Sequence, residues 1–404
     1  MTKNVKIINS SQCYGCYACS NICPKGCISM AEDKDGFAIP KIKEEDCIKC
    51  GLCLQVCPAE KKYKNNNDFP LTVYAANVKD EDIRMKSTSG GMFYPIAEHV
   101  INKGGCVFGA AFNSSYEVIH IFAETISEVE RCMKSKYVQS NMGNSYEEVA
   151  KRSQKQMILF TGTPCQIAAL NKYPGLKMEN VIAVDIICHG VPSPKLWKKY
   201  LKEMRDKYGK IIYLMTRSKK RYGSLQSETV IHFANGEKYH KVLDKDCYMD
   251  AFMNGLSLRE RCYHCQYKGK NRFSDITIAD FSSIRKYIKD ADSFKGTSML
   301  ILNTEKGKQV IESLKDKFEM KKINTKEGLV EDWTWGLSYP YSVKHRMFYD
   351  NCFEKNYTIK KSLYHVRHDL KKVCLPGERI KEVCSEIRKK IQDCYYKYIF
   401  QLRG

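Results

Sequence analysis

No uninterrupted apolar run in this 404-residue chain approaches the roughly 20 residues that a membrane-spanning helix requires. The opening "MTKNVKIINSSQC" lacks the apolar centre and small-residue cleavage site of a secretory signal. The expectation is a cytoplasmic chain, in a reducing compartment where structural disulfides do not persist. Acidic residues are in short supply, 46 against 67 Lys and Arg, for a formal charge of +21. Such a balance often signals nucleic acid, but the basic residues are scattered rather than set between stacking aromatics. No nucleic-acid partner is expected. A hydrophobic fraction of 43% argues against overall disorder and allows two or three domains.

What the chain has in excess is cysteine, twenty in all, which in a reducing compartment points to metal or catalysis. Cys13, Cys16, Cys19 and Cys23-Pro24 obey C-x2-C-x2-C-x3-C-P, and Cys47, Cys50, Cys53 and Cys57-Pro58 obey it again. This is the bacterial two-cluster ferredoxin signature. Three thiols on one tight loop can grip three corners of a cubane, whereas the fourth lies beyond the turn and faces away. Ligation therefore crosses over: Cys13, Cys16, Cys19 and Cys57 hold one 4Fe-4S cluster, and Cys47, Cys50, Cys53 and Cys23 hold the other. Zinc also accepts C-x2-C pairs but has no need of a third step and a trailing C-P, twice over. Cys27 falls outside the pattern and reads as a plain buried thiol.

The charged, amide-rich "AEKKYKNNNDFP" reads as a linker closing a ferredoxin-like α+β domain at residues 1–68. The body beyond it is expected to keep a core of its own. "LTVYAANV", "CVFGAAF", "VIHIFAE", "QMILFTG", "VIAVDIIC", "DITIADF" and "SMLILN" read as strands. "GGMFYPIAEHVINKGG", "PCQIAALNKY" and "SPKLWKKYLKEMRDKYG" read as helices between them, and "ETVIHFANGEKYHKV" as a hairpin turned on Asn235-Gly236. The expected body is α/β, with mixed sheets and flanking helices. It divides into 69–155, 156–345 and a basic helical tail at 346–404. In the tail, Ile380, Val383, Ile387, Ile391, Cys394, Tyr398 and Leu402 recur at helical spacing. That face either packs on the body or, with Arg388, Lys389 and Lys390 beside it, meets anionic headgroups.

Three places in the body look chemical. "STSGG", Ser87 to Gly91, sets hydroxyls and glycines before a helix, which is either a simple cap or a cradle where backbone amides meet a phosphate. "LFTGTPCQIAAL" runs a strand through Thr161, Gly162 and Thr163 into a helix, the usual place for ligands in α/β sheets, with Cys165 at the tip. Cys188 ends another buried strand in "VDIICHGVPSP". The loop "RERCYHC" adds Cys262 and Cys265. Those four thiols are enough for a third 4Fe-4S cluster; the alternative is two core thiols and an idle loop pair. His189, beside Cys188, either supplies a proton or merely hydrogen-bonds backbone.

The ferredoxin repeats, "STSGG", "SKYVQS" (Ser135 to Ser140), "TGTPCQIAAL", "CHGVPSP" and the C-x2-C before "SDITIADF" occur in a telling order. It resembles the family of coenzyme F-420 hydrogenase/dehydrogenase beta subunits, up to about residue 340. The resemblance implies FAD and iron-sulfur clusters, with electrons passing between the clusters and a substrate on the flavin. It implies an FAD pocket near Ser89, Gly90, Gly91, Lys136, Tyr137, Ser140, Thr161, Gly162 and Thr163. It also implies Cys165, Cys188, Cys262 and Cys265 as cluster ligands. In relatives the substrate is a deazaflavin or a chlorophyll derivative. Bacterial relatives with this layout lie near polysaccharide genes, which leaves the acceptor open. The expected function is an oxidoreductase passing electrons from a low-potential donor such as ferredoxin to a small organic substrate. The alternative is an electron-transfer subunit serving a partner enzyme; a deep cleft at "STSGG" and Thr161 to Thr163 favours the former.

Overall fold

Runs such as Ile158–Gly162 and Val181–Ile186 are apolar at nearly every position, as strands covered on both faces must be. In the computed structural model, which describes residues 10–59, 64–65, 68–291 and 294–368, these runs lie at the centre of an eight-stranded sheet. The strands are β1 (Ile28–Glu32), β2 (Ala38–Ile42), β3 (Thr72–Val78), β4 (Cys106–Phe112), β5 (Val118–Ala123), β6 (Ile158–Gly162), β7 (Val181–Ile186), β8 (Ile211–Ser218), β9 (Glu228–Phe233), β10 (Lys238–Val242), β11 (Ile276–Asp280), β12 (Ser298–Leu302) and β13 (Phe318–Ile323). The large sheet runs β13-β3-β12-β11-β7-β6-β4-β5. Strands β11, β7, β6 and β4 run parallel, and the strands on either side of them pair antiparallel. The carboxyl ends of β4, β6, β7 and β11 therefore share one edge.

Alternation along each strand sends successive side chains to opposite faces. Leu159 packs with Ile96, Ala97 and Val100 of the helix Phe93–Asn102, whereas Ile158 and Phe160 pack with Tyr146, Ile167 and Leu170 of the helices on the other face. A second sheet, β10-β9-β8, is antiparallel and turns at Asn235-Gly236, as the sequence predicts. It packs with the helices Pro194–Tyr208, Val343–Phe353 and Ile359–His368. The start of the basic tail is thus part of the core, while the apolar stripe read at 380–402 lies outside the described residues. No helix among the described residues is long and apolar enough to cross a membrane.

The N-terminal segment folds as expected, with a β1–β2 hairpin and the short helices Ala18–Ile22 and Leu52–Gln55. It packs directly on the body. Ala18 and Val56 are buried against Tyr146, Phe160 and Ile167, and Phe37 joins the cluster around Trp197 and Tyr349. Arg259, 2% exposed, reaches across. It donates to the carbonyls of Cys13 (3.2 Å) and Ala38 (2.9 Å) and to Gln139 Oε1 (2.9 Å), and its guanidinium lies over the Phe37 ring. Gln139 Nε2 in turn donates to the carbonyls of Tyr14 and Gly15.

We expect Arg259→Leu to lower the unfolding free energy by about 3 kcal/mol, because hydrogen bonds from a buried charge contribute ~1.5–3 kcal/mol each and their acceptors would lose their donor. Anaerobic denaturant titration measures this. A loss below about 1 kcal/mol would mean that the two parts are held by apolar packing alone.

Candidate functional site

The edge formed by the ends of β4, β6, β7 and β11 opens into a cavity of about 1220 Å³, lined also by Arg217 of β8 and by Ser224, Leu225, Gln226 and Ser227 of the loop after it. This exceeds the ~300–1,000 Å³ typical of a single small-molecule site. Cys165, Cys188, Cys262 and Cys265 all line it, and so do Ser89, Gly91, Lys136, Tyr137, Ser140, Thr161, Gly162 and Thr163. Two loops and two strand ends far apart in sequence therefore meet at one cavity.

Gly90 is the exception and a correction. It does not line the cavity, and its N–H already donates to Ser298 Oγ (2.9 Å). A Cβ at this position would stand 2.3 Å from the Ala76 carbonyl oxygen and 2.7 Å from Ser298 N, so glycine is needed for close approach to strands rather than to a phosphate.

The other residues are held in place by short local bonds. Ser89 Oγ donates to the Thr297 carbonyl (2.7 Å), Thr161 Oγ1 to the Phe108 carbonyl (2.9 Å), and the Thr163 N–H to Gln166 Oε1 (2.8 Å). Ser140 Oγ accepts from Gln166 Nε2 (3.0 Å), and the Tyr137 hydroxyl lies 3.3 Å from Arg217, which is ion-paired to Asp280. Lys136 Nζ donates to the carbonyls of Arg131 (2.8 Å) and Met133 (2.5 Å). Burial pushes its pKa down to about 7, and Lys134 and Arg131 add to the shift. Lys134, to which no spacing pointed, is lowered by burial and by the neighbouring Lys220 and Lys86. Neither lysine has an ion-pair partner among the described residues; Lys134 Nζ lies 3.3 Å from Met215 Sδ.

At the other end the four thiols are mutual electrostatic neighbours. Burial pushes the pKa of Cys262 up to about 12 and that of Cys165 well above the usual thiol range, with the other thiols adding to the rise. Four thiolates here need compensating positive charge. Lys268 supplies some, as does Arg272, 2% exposed and paired with the fully buried Asp185 at 3.0 Å. Arg272 Nε and Nη2 have no hydrogen-bond partner among the described residues. No three His, Cys, Asp or Glu side chains among the described residues converge as a single ion demands. Iron corners of a cubane each take one thiol, so dispersed thiols fit a cluster better than zinc.

The N-terminal thiols fall into two groups. Cys16 has Cys57, Cys19 and Cys13 as its electrostatic neighbours, and Cys23, Cys47, Cys50 and Cys53 line one recess. Tyr14 spans the first group and the cavity: it comes directly after Cys13, and its buried ring packs with Tyr267 among Cys165 and Cys265. Fully buried Tyr146 packs in the cluster that includes Cys16.

His189 lines the cavity, yet its Nε2 bonds the Phe252 carbonyl (3.2 Å) and its ring is enclosed by Phe252 and Tyr339. Burial lowers its pKa to about 4, which favours the backbone-bonding alternative over a proton-donor role. His120, to which no motif points, also lines the cavity, with Nε2 on the Thr161 carbonyl (3.0 Å) and Nδ1 buried without a hydrogen-bond partner among the described residues.

The thiol sets and the sheet define an iron-sulfur electron-transfer protein of the oxidoreductase type. Comparison with known proteins gives the family. Residues 155–326 match the family described as the C terminus of the Coenzyme F420 hydrogenase/dehydrogenase beta subunit, and residues 12–61 match the 4Fe-4S dicluster domain. Over the first range the chain is similar to that family, and over the second to that domain. It is 23% identical over 336 residues to the F subunit of the F(420)H(2) dehydrogenase of Methanosarcina mazei, covering 79% of this chain and 86% of that one. It is 25% identical over 341 residues to the Coenzyme F420-dependent sulfite reductase of Methanocaldococcus jannaschii, covering 80% of this chain and 48% of that relative, so it spans about half of its length. A chain of the F420-reducing NiFe hydrogenase complex from Methanosarcina barkeri superposes with a TM-score of 0.44 at 17% identity, over 70% of this chain and 99% of that one.

His120 gives a pH test. Burial, opposed by its bond to Thr161, lowers its pKa from 6.5 to about 4. Its contribution is complete above about pH 6.5 and is lost as pH falls toward 4. We expect His120→Gln to flatten the fall in unfolding free energy over that window by up to ~1.4 kcal/mol per pH unit. Urea titrations at about pH 7.5, 6 and 5 compare the slopes; identical slopes would show that His120 is protonated as readily in the folded chain.

Proposed function

We propose that this chain is an iron-sulfur flavoprotein oxidoreductase that takes electrons from a low-potential donor such as ferredoxin and delivers them to a small organic substrate beside FAD. The observation that carries this reading is the succession of thiol sets. Cys23, Cys47, Cys50 and Cys53 lie outermost with Cys50 exposed; Cys13, Cys16, Cys19 and Cys57 lie against the body; Cys165, Cys188, Cys262 and Cys265 line the cavity. Each set would hold a 4Fe-4S cluster for one-electron transfer, and FAD would supply conversion between single electrons and pairs.

The residues around these sets suit that use. Tyr14 and Tyr146 fill the space between the second and third sets with packed, dry protein. Lys268 and Arg272 favour thiolates in the third set and offset added negative charge. Lys134, Lys136 and the hydroxyls of Ser87, Thr88 and Ser135 present cations and donors suited to the two phosphates of a dinucleotide. Exposed Leu225, Met253 and Trp333 border the same cavity, so it is open to a second molecule. That openness favours substrate chemistry over the pure electron-transfer subunit. Both curated relatives are named for F420, which makes that deazaflavin the first substrate to try. One of them is a dehydrogenase subunit, and exposed Ile48 beside Cys50 offers a redox partner an apolar contact.

Anaerobic purification should give about twelve iron atoms and about one FAD per chain, on three four-iron clusters. Cys265→Ser should lower iron to about eight with the N-terminal clusters intact. About eight iron atoms in the unaltered chain would remove the third cluster from the reading.

Lys134→Gln should weaken FAD retention about tenfold with iron unchanged, the effect of losing ~1.4 kcal/mol of charge-assisted contact. Equilibrium dialysis of flavin measures it, and unchanged retention would place the phosphates elsewhere.

A further inference from the structure

The recess at the outer end of the N-terminal segment is lined by five thiols, not four: Cys23, Cys27, Cys47, Cys50 and Cys53. Cys27, outside the repeated spacing, is brought there by a turn. The Gly26 N–H donates to the Cys23 carbonyl (3.0 Å), Pro24 fixes the second turn residue, and Gly26 takes a φ of +59° that favours glycine. The chain doubles back, and Cys27 Sγ comes to rest 3.3 Å from Cys23 Sγ. Cys27 is not loosely held. Its carbonyl accepts from Lys43 N (2.9 Å) at the base of the β1–β2 hairpin, the residue is 7% exposed, and its thiol also faces Cys47. Cys23, by contrast, sits in extended backbone at the end of the helix Ala18–Ile22 and is half-buried.

A cubane in this recess has four iron corners. Cys47, Cys50 and Cys53, on one loop, would take three, and Cys23 and Cys27, 3.3 Å apart, would both be available to the fourth. We propose that Cys27 is an alternative ligand for the corner that the ferredoxin spacing gives to Cys23. In the exchange the Cys27 sulfur–iron bond forms, the Cys23 sulfur–iron bond breaks, and the proton leaving the Cys27 thiol passes to Cys23. No electron is gained or lost and the charge of the site is unchanged, so the step needs no co-reactant. The consequence is an outer cluster, the one nearest solvent, that survives the loss of its fourth pattern cysteine. This rests on the dicluster domain and not on the third cluster or FAD, so the two readings fail separately.

The test uses the full chain, purified anaerobically, with iron and sulfide analysis and electron paramagnetic resonance of the dithionite-reduced protein. Cys23→Ala should keep all the iron of the unaltered chain, and Cys27→Ala should do the same. The double variant should lose about four iron atoms and the outer cluster's signal. Cys23→Ser and Cys23→Ala should give the same outer-cluster spectrum, since residue 23 no longer touches iron in either. Loss of about four iron atoms from Cys23→Ala, with the remaining clusters and circular dichroism intact, would overturn the proposal. So would full iron in the double variant, or a Cys23→Ser spectrum distinct from that of Cys23→Ala. If the double variant does not fold, the single-variant iron counts and the Ser–Ala comparison still decide.

Discussion

Arg259 is a charge buried where two parts of the chain meet, and much of the structure depends on its being satisfied. A guanidinium at 2% exposure is tolerated only with its donors engaged, and its partners come from three separated places: Cys13, Ala38 and Gln139. That set exists only when the N-terminal segment is seated on the body. Arg259 also precedes Cys262 by three residues, so the residue that seats the segment begins the loop bearing two thiols of the cavity wall. Docking of the first thiols and placement of the last are one event in the folded chain.

The same economy governs the cavity. Parallel strands end together, so the loops after β6, β7 and β11 converge without any long excursion. One end of the resulting space gathers Lys134 and Lys136, with the Arg217–Asp280 pair beside Tyr137, and the other gathers thiols with Lys268 and Arg272 behind them. The buried Asp185–Arg272 pair links the sheet to the thiol end, with Thr277 donating a further bond to Asp185. A polar group so placed costs stability unless a partner arrives, and the two idle nitrogens of Arg272 mark where that cost is carried.

Local features are legible in the sequence because their causes are local. The strands "CVFGAAF" and "VIAVDIIC", the helix opened by Pro164 and the hairpin at Asn235-Gly236 arise from apolar runs, a proline at a helix start and a positive-φ glycine, none of which needs the rest of the chain. Gly90 departs from expectation for the opposite reason. A glycine beside hydroxyls looks the same in sequence whether a phosphate or a neighbouring strand approaches it, and here the carbonyl of Ala76 approaches. His120 and Lys134 carry no spacing signal, since one lies on a strand and the other in the loop before Ser135; "CMKSKYVQS" shows two lysines but not that both line the cavity.

By itself the sequence determined the repeated cysteine spacing and the α/β order of the body, because each is written within a few residues of chain. Tertiary structure alone decided that Cys165, Cys188, Cys262 and Cys265 share one cavity, that the N-terminal segment gives up a separate core, and that Cys27 stands beside Cys23. Those are contacts between residues whose distance in sequence says nothing of their distance in space, or, for Cys27, the outcome of one turn's direction. Burial selects them, and burial is a property of the whole fold.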